Sequence, residues 1–573
     1  MNYDDKIKER FAKIPQYKAS AKDLWLRTGG TPDNPQWVHV ANGTVLLNKI
    51  INYNDGFKTE ERLELITVYQ GEYSKKHTIP AEKLTSSKFE SAAPTVGFSI
   101  DSTKKLIDSI HAQAPYCTVQ DTYTHTGWAE LDGKLAFLHA GGAVGSNKPV
   151  TVELDGGLSN YRFSAENHAD KWDVFKQLVK VAPKRIMYPL LAFAALSPLL
   201  FFLRNEGLKQ GFLMFLYGKT NTGKTTLAAL VLSLFGSFVG GELPASFQDT
   251  ALSIPKKAQL LADVLMVVDD FHPTANRKEY ERMSDTVQKL SRAYGNHTGR
   301  SRLTADIEMG QQHIPMGNAL LTGEMYPDIG ESGFSRMVTI EVKPGDINFT
   351  TLSEVQEKAD RLSECMREYV SWLAVNGNGY SSLMKQEFIK QRASVQGSGY
   401  GRTAEQIAYL MVSVKMALIF LKDQKVITGE GAAAEIANTA LNLFIEWSKE
   451  QTASLKSNDP CIMFLTELDH LIQTNGISFL NDHNSALDRW KGGYQDDEYY
   501  YLAWKTVSAK ITQSLQQRNS RLPVDFTTLK KRLAEGGYII PGKNGKPDKQ
   551  KRFGDKTLWV VFLKKAALDN LPD

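Results

Sequence analysis

The stretch Gly218-Lys219-Thr220-Asn221-Thr222-Gly223-Lys224-Thr225 reads G-x-x-x-x-G-K-T, and it follows the apolar run Phe212–Tyr217. A strand entering a glycine-rich turn turns successive backbone N–H groups toward phosphate oxygens. A helix leaving that turn adds the positive end of its dipole. In this chemistry Lys224 reaches the β- and γ-phosphates, the Thr225 hydroxyl binds Mg²⁺, and Thr226 opens the helix. ATP and Mg²⁺ are therefore the expected cofactors.

Such a site needs carboxylates on a second strand. Val264–Val268 is a five-residue apolar run that ends in Asp269 and Asp270. Asp269 is expected in the Mg²⁺ shell, and Asp270 as the base toward the attacking water. A third strand, Asn318–Glu324, brings Thr322 as candidate sensor of the γ-phosphate, with Glu324 as its competitor. Arg336, before the apolar run Met337–Ile340, stands where oligomeric ATPases present an arginine to the neighbouring subunit's nucleotide.

Two basic regions are candidates for DNA. The segment Arg292–Arg302, followed by alternating Leu303–Ile314, reads as a β-hairpin with Asn296, His297, Arg300 and Arg302 at its tip. Near the C-terminus, Asp525–Gly537 reads as a capped helix that leaves Lys530, Lys531 and Arg532 outside its apolar face. The loop Pro541–Lys556 that follows carries Lys549, Lys551 and Arg552, suited to phosphates.

The elements that must hold these residues divide the chain into four expected parts. Residues 1–175 read as mixed α/β, and 176–350 alternate strand, loop and helix, as in a helix-covered parallel sheet. Residues 351–455 are mostly helical, and 456–573 form a small α/β module with a helix, strand, basic loop, strand order. Ile186–Leu203 is an uncharged run of 18 residues interrupted by Pro189 and Pro198, read as a buried helix behind the nucleotide strand.

Composition excludes some classes. With 68 Lys and Arg against 64 Asp and Glu the net charge is +4, so any nucleic-acid surface is local. Cys117, Cys365 and Cys461 are far apart and offer neither a disulfide framework nor zinc spacing, which fits a reducing cytoplasm. The start, Met1-Asn2-Tyr3-Asp4-Asp5, has no signal-peptide pattern, so a cytoplasmic protein with no membrane partner is expected.

Phosphate loop, Asp-Asp strand, inserted hairpin, sensor strand and Ser335-Arg336-Met337, in that order, resemble the minichromosome-maintenance (MCM)-like AAA+ helicases. The resemblance is closer still to replication initiator helicases of bacterial mobile elements, such as staphylococcal pathogenicity islands and cassette chromosomes. It implies an AAA+ core with a helical lid and a C-terminal winged helix. It also implies a homohexameric ring that moves on single-stranded DNA and loads at a duplex replication origin. Arg402, in Gly401–Ala408, resembles the sensor-2 arginine of such a lid. Met337 and Asp270 depart from the family pattern, which has an aromatic residue and Glu there. A remodelling or packaging ATPase that binds DNA without unwinding it is the alternative, followed by a DNA-binding regulator whose nucleotide site controls oligomerisation.

Overall fold

A computed structural model gives the fold. It describes residues 3–571 apart from 72, 240–241, 251, 273, 275, 298–313, 328, 396–400, 430, 458, 482–490, 519–521, 523, 543–544 and 570.

The protein is mixed α/β, and its centre is a five-stranded parallel sheet: β1 (Leu213–Tyr217), β2 (Ala245–Ser246), β3 (Leu265–Phe271), β4 (Asn318–Gly323) and β5 (Met337–Glu341). The strands lie in the order β2-β3-β4-β1-β5, so β4 is inserted between the glycine-turn strand and the acidic strand. Leu213–Leu216, Leu265, Val267, Val268 and Ala319–Leu321 are all but inaccessible, as expected where both faces of a parallel sheet are covered. That burial explains why the strands read as continuous apolar runs rather than as alternation.

Helix α1 (Lys184–Leu196) continues through Pro189 and passes by a 3₁₀ turn at Ser197–Leu199 into a further helix, Leu200–Asn205. Asn318, at the start of β4, donates from Nδ2 to the Phe193 carbonyl (3.0 Å) and Ser197 Oγ (3.1 Å), which ties this break to the sheet. Among the described residues two helical stretches, Lys184–Asn205 and Arg402–Asp423, are long and apolar enough to cross a membrane, but their apolar parts are 78% and 72% buried inside the fold. Helix α2 (Lys224–Leu232) follows the glycine turn, and α3 (Arg277–Asn296) leaves β3. The long helices α4 (Asp360–Val395) and α5 (Gly401–Asp423) share the main apolar core with the sheet.

The first 123 residues hold a separate apolar cluster around strands Gly43–Asn54 and Thr59–Tyr69 and helix Thr103–His111. The main core begins at Trp128. Trp128 donates from its backbone N–H to Asp263 Oδ2 (3.1 Å) and from Nε1 to the Pro198 carbonyl (2.8 Å). Gly127 has a φ of +94°, and a Cβ there would press on the Ala262 carbonyl, so this junction requires glycine.

The C-terminal region builds a further core from helices Pro460–Gln473, α6 (Trp504–Gln517) and α7 (Phe526–Glu535). They pack on a mixed sheet that includes the hairpin β6 (Lys549–Phe553) and β7 (Lys556–Lys564). Asp525 caps α7, accepting from the N–H groups of Thr527 (2.8 Å) and Thr528 (3.0 Å).

Candidate nucleotide site and DNA-facing surfaces

The turn between β1 and α2 contains two left-handed residues, Asn221 (φ +62°) and Gly223 (φ +80°), a backbone pattern that turns N–H groups inward. At Gly218 a Cβ would overlap the Val342 carbonyl. At Gly223 it would lie 2.9 Å from Ile347 Cδ1 and 3.1 Å from Phe349 Cε1. Gly218 is thus required by close approach of backbone, and Gly223 by its left-handed conformation.

Lys224 is buried, and its ammonium donates to the Lys219 carbonyl (2.7 Å) and Thr222 Oγ1 (3.4 Å) across the turn. Desolvation lowers its pKa below the ordinary lysine value, while Glu324, Asp269 and Asp270 act in the opposite direction. Thr225 donates from Oγ1 to Asp269 Oδ1 (2.9 Å), and Thr322 Oγ1 donates to the same carboxylate oxygen. Thr322 Oγ1 in turn accepts from the Asp270 backbone N–H (3.2 Å). The inserted β4 thus joins sensor candidate to carboxylates, while Glu324 accepts from Thr220 Oγ1 (2.9 Å) at the rim.

Asp270 adopts φ +74°, an unfavourable conformation for a non-glycine residue, at a register shift between Val268 and Phe271. Its carboxylate is exposed and pairs with His272 Nδ1 (3.2 Å). Thr225, Thr226 and Asp269 line a cavity of about 640 Å³ together with Asp249 and Lys257. A hydroxyl and a carboxylate sharing one point are hard oxygen donors of the kind Mg²⁺ takes, and the backbone N–H groups of the left-handed turn suit phosphate oxygens. The residues present therefore fit both expected cofactors.

Arg336 belongs to a different neighbourhood. Its guanidinium donates to Ser332 Oγ (2.6 Å) and Asn296 Oδ1 (3.3 Å), and its side chain lies over Gly295 at the end of α3. Burial lowers its pKa first, and the nearby charges of Arg402 and Arg292 lower it further. Arg402 is exposed in the first turn of α5.

The expected hairpin from Arg292 is not formed at its start: Arg292–Asn296 complete α3. The physical reason is packing, because Met283, Val287, Leu290 and Tyr294 carry one buried stripe up to the turn-forming Gly295-Asn296. Asn296 holds Arg336, and His297 ends the helix in a left-handed conformation (φ +50°) with Nε2 buried. Burial lowers the His297 pKa, with the positive charge of Lys209 adding to it. Arg300 and Arg302 lie outside the described residues.

The basic C-terminal loop also differs from expectation, since Lys549–Phe553 is strand β6. Lys551 Nζ sits 3.5 Å from the Tyr501 ring centroid and 3.5 Å from Asp496 Oδ2; Lys549 lies over Phe562 (4.8 Å). Lys530 pairs with Asp548 (2.6 Å) and covers Trp504 (5.5 Å). These three lysines are held on the protein itself, because aromatic rings beneath them favour cation contact. Lys531, Arg532 and Arg552 are exposed. Phe349 and Trp559 are not singled out by the sequence. An aromatic ring reads as core by default, yet they are 53% and 61% exposed.

A family model described as a domain of unknown function (DUF927) matches residues 22–306, just under half the chain. No curated protein matches. Among solved structures, the chain is similar to one described as "SCCmec type IV Cch - active helicase", with 16% identity and a TM-score of 0.60. That alignment covers 97% of this chain and 99% of the other. The NrS-1 C-terminal region in its apo A form aligns over 69% of this chain and 91% of that one, at 11% identity and a TM-score of 0.25, too low to bear on the fold. What is shared with the first is the fold along nearly the whole length.

Proposed function

We propose that this protein is an ATP-dependent DNA helicase and replication initiator of a mobile element. In this reading it is an MCM-like AAA+ motor that forms a homohexameric ring, with ATP hydrolysed at subunit interfaces. The single observation that carries the reading is a separation of charges. Lys224 and Thr225 lie in the glycine turn, with Thr225 bonded to Asp269 (2.9 Å), whereas Arg336 is held by Ser332 (2.6 Å) and Asn296 (3.3 Å) at the end of α3 with the charges of Arg402 and Arg292 nearby. One subunit thus offers a nucleotide cradle with metal-binding groups in one place and an arginine cluster in another. Adjoining copies would complete each other's sites. The order β2-β3-β4-β1-β5 supports the AAA+ assignment, and the full-length likeness to a helicase supports the DNA role.

In the proposed reaction Lys224 and the Gly218–Thr225 turn hold the triphosphate, and Thr225 and Asp269 hold Mg²⁺, which supplies charge neutralisation on the phosphates when bound. Thr322 fixes the Asp269 carboxylate and the Asp270 backbone, and Asp270 takes the proton of the attacking water. The neighbour's Arg336 stabilises charge on the transferring phosphoryl group, with Arg402 beside it. Phe349, against Gly223, offers an exposed ring on which a nucleobase stacks. The four parts 1–175, 176–350, 351–455 and 456–573 serve as N-terminal domain, ATPase core, helical lid and winged-helix DNA module.

The test is ATP hydrolysis and forked-DNA unwinding by wild type, Lys224→Ala and Arg336→Ala, with the two variants also mixed. Each variant alone is expected to be inactive, and mixtures to recover part of the hydrolysis at interfaces pairing an intact cradle with an intact arginine. Wild-type hydrolysis without strand separation sinks the helicase reading in favour of a remodelling ATPase. No recovery at any mixing ratio removes the trans role of Arg336.

A further inference from the structure

The hairpin β6–β7 has two unlike faces. On its inner face Phe553 and Val560 are buried beside Tyr494 and Tyr501, and Lys549 and Lys551 bend over the same aromatic cluster. On its outer face Gln550 pairs in register with Trp559, and Arg552 with Thr557, all four exposed. Arg552 is therefore diagonal to Trp559 across the strands, within reach of the same small ligand. The guanidinium donates from Nε to the Gly554 carbonyl (3.1 Å), which stiffens it at the hairpin end. The segment Lys549–Lys564 carries five cations (Lys549, Lys551, Arg552, Lys556, Lys564) and one carboxylate, Asp555; Lys549 and Lys551 are turned to the inner face, so Arg552 is the cation on the face of Trp559.

A tryptophan left 61% exposed forgoes the burial that its large ring normally gains. Phosphate binding needs no such ring; lysines and arginines suffice. An indole face stacks well on another flat surface, and beside a phosphate-binding cation a nucleobase offers one. Bases present their faces where a duplex is open.

We propose that Trp559 stacks on an unpaired base at the junction of single- and double-stranded DNA, with Arg552 holding the adjoining phosphate. This rests on the DNA-motor reading above and adds to it a residue and a nucleic-acid form. The hairpin then meets the fork itself rather than only anchoring duplex.

The experiment measures anisotropy of a labelled fork and of a blunt duplex of equal length, with full-length wild type, Trp559→Ala, Trp559→Phe and Arg552→Ala. Thermal melting checks the fold of each. Trp559→Ala is expected to weaken fork binding roughly five- to a hundredfold while changing the blunt duplex less than about twofold. Trp559→Phe should keep most fork affinity. Arg552→Ala should weaken both substrates alike and lower the salt dependence of binding. A 2-aminopurine at the first unpaired position should be quenched by wild type and by Trp559→Phe but not by Trp559→Ala. Equal fork affinity for Trp559→Ala and wild type, or equal loss on fork and blunt duplex, overturns the stacking role and leaves the helicase reading standing. Wild type that binds neither substrate sinks both.

Discussion

Replacing Gly295 by alanine separates the arginine from the fold that carries it. A Cβ at this position would overlap Arg336 Cδ and Nε and lie 3.2 Å from its Cγ. Glycine to alanine inside a helix ordinarily stabilises by about 0.5–1 kcal/mol. The obstructing atoms belong to a flexible side chain, so the fold should survive while Arg336 gives way. Restoring ordinary carbon contact of roughly 3.5–4 Å requires the guanidinium stem to move by about 1 Å or more. That shift also strains the bonds from Arg336 to Ser332 (2.6 Å) and Asn296 (3.3 Å). A trans arginine contributes about three to five orders of magnitude, and a misplacement of about 1 Å removes on the order of a hundredfold. Gly295→Ala is therefore expected to melt no lower than wild type and to lose about a hundredfold in kcat. Mixing it with Lys224→Ala should recover less hydrolysis than mixing wild type with Lys224→Ala. Steady-state hydrolysis within threefold of wild type, alongside a hundredfold loss in Arg336→Ala, refutes the packing argument.

Asp269→Asn should leave the fold intact and raise the Mg²⁺ concentration for half-maximal hydrolysis at least tenfold, because the amide keeps the shape but not the charge offered beside Thr225; an unchanged Mg²⁺ curve refutes its role. Phe349→Ala should raise the KM for ATP about fivefold to twentyfold with kcat within twofold, and leave tripolyphosphate inhibition unchanged; equal weakening of both ligands would mean that Phe349 supports the turn rather than the base. His139 makes stability acid-sensitive: its Nδ1 accepts from the N–H groups of Gly141 (3.1 Å) and Phe163 (3.3 Å), and burial, then Arg162 and Arg367, push its pKa down from 6.5 to about 4. The unfolded chain binds a proton that the folded ring refuses, so stability is lost as pH falls from about 6.5 to about 4, by roughly 3 kcal/mol in all. Denaturation between pH 7 and 4 should show this loss in wild type and a flatter curve in His139→Gln; parallel curves refute it.

The parallel sheet was legible because its strands are buried on both faces and end in residues whose chemistry is specific. Gly218–Thr225 follows one strand and Asp269 and Thr322 lie on two others, 44 and then 53 residues further along the sequence, and the sheet brings them together at one edge. Local chemistry misled where packing was decisive. Gly295-Asn296 is a turn signal, but the stripe Met283–Tyr294 keeps it helical. Lys530 and Lys551 read as free cations because nothing local reveals Asp548, Asp496 or Tyr501, which arrive from other elements. Trp559 was invisible for the converse reason, since alternation on a hairpin does not say which face finds a partner sheet.

The same misread segment supplies a mechanical link. Helix α3 starts six residues beyond the acidic strand and ends where Gly295 and Asn296 hold Arg336. Twenty helical residues span about 30 Å and move as one body when one face is packed along its length. A change around Asp269 and Asp270 that displaces the end of β3 is thus carried to the arginine that, in the proposed ring, serves the next subunit.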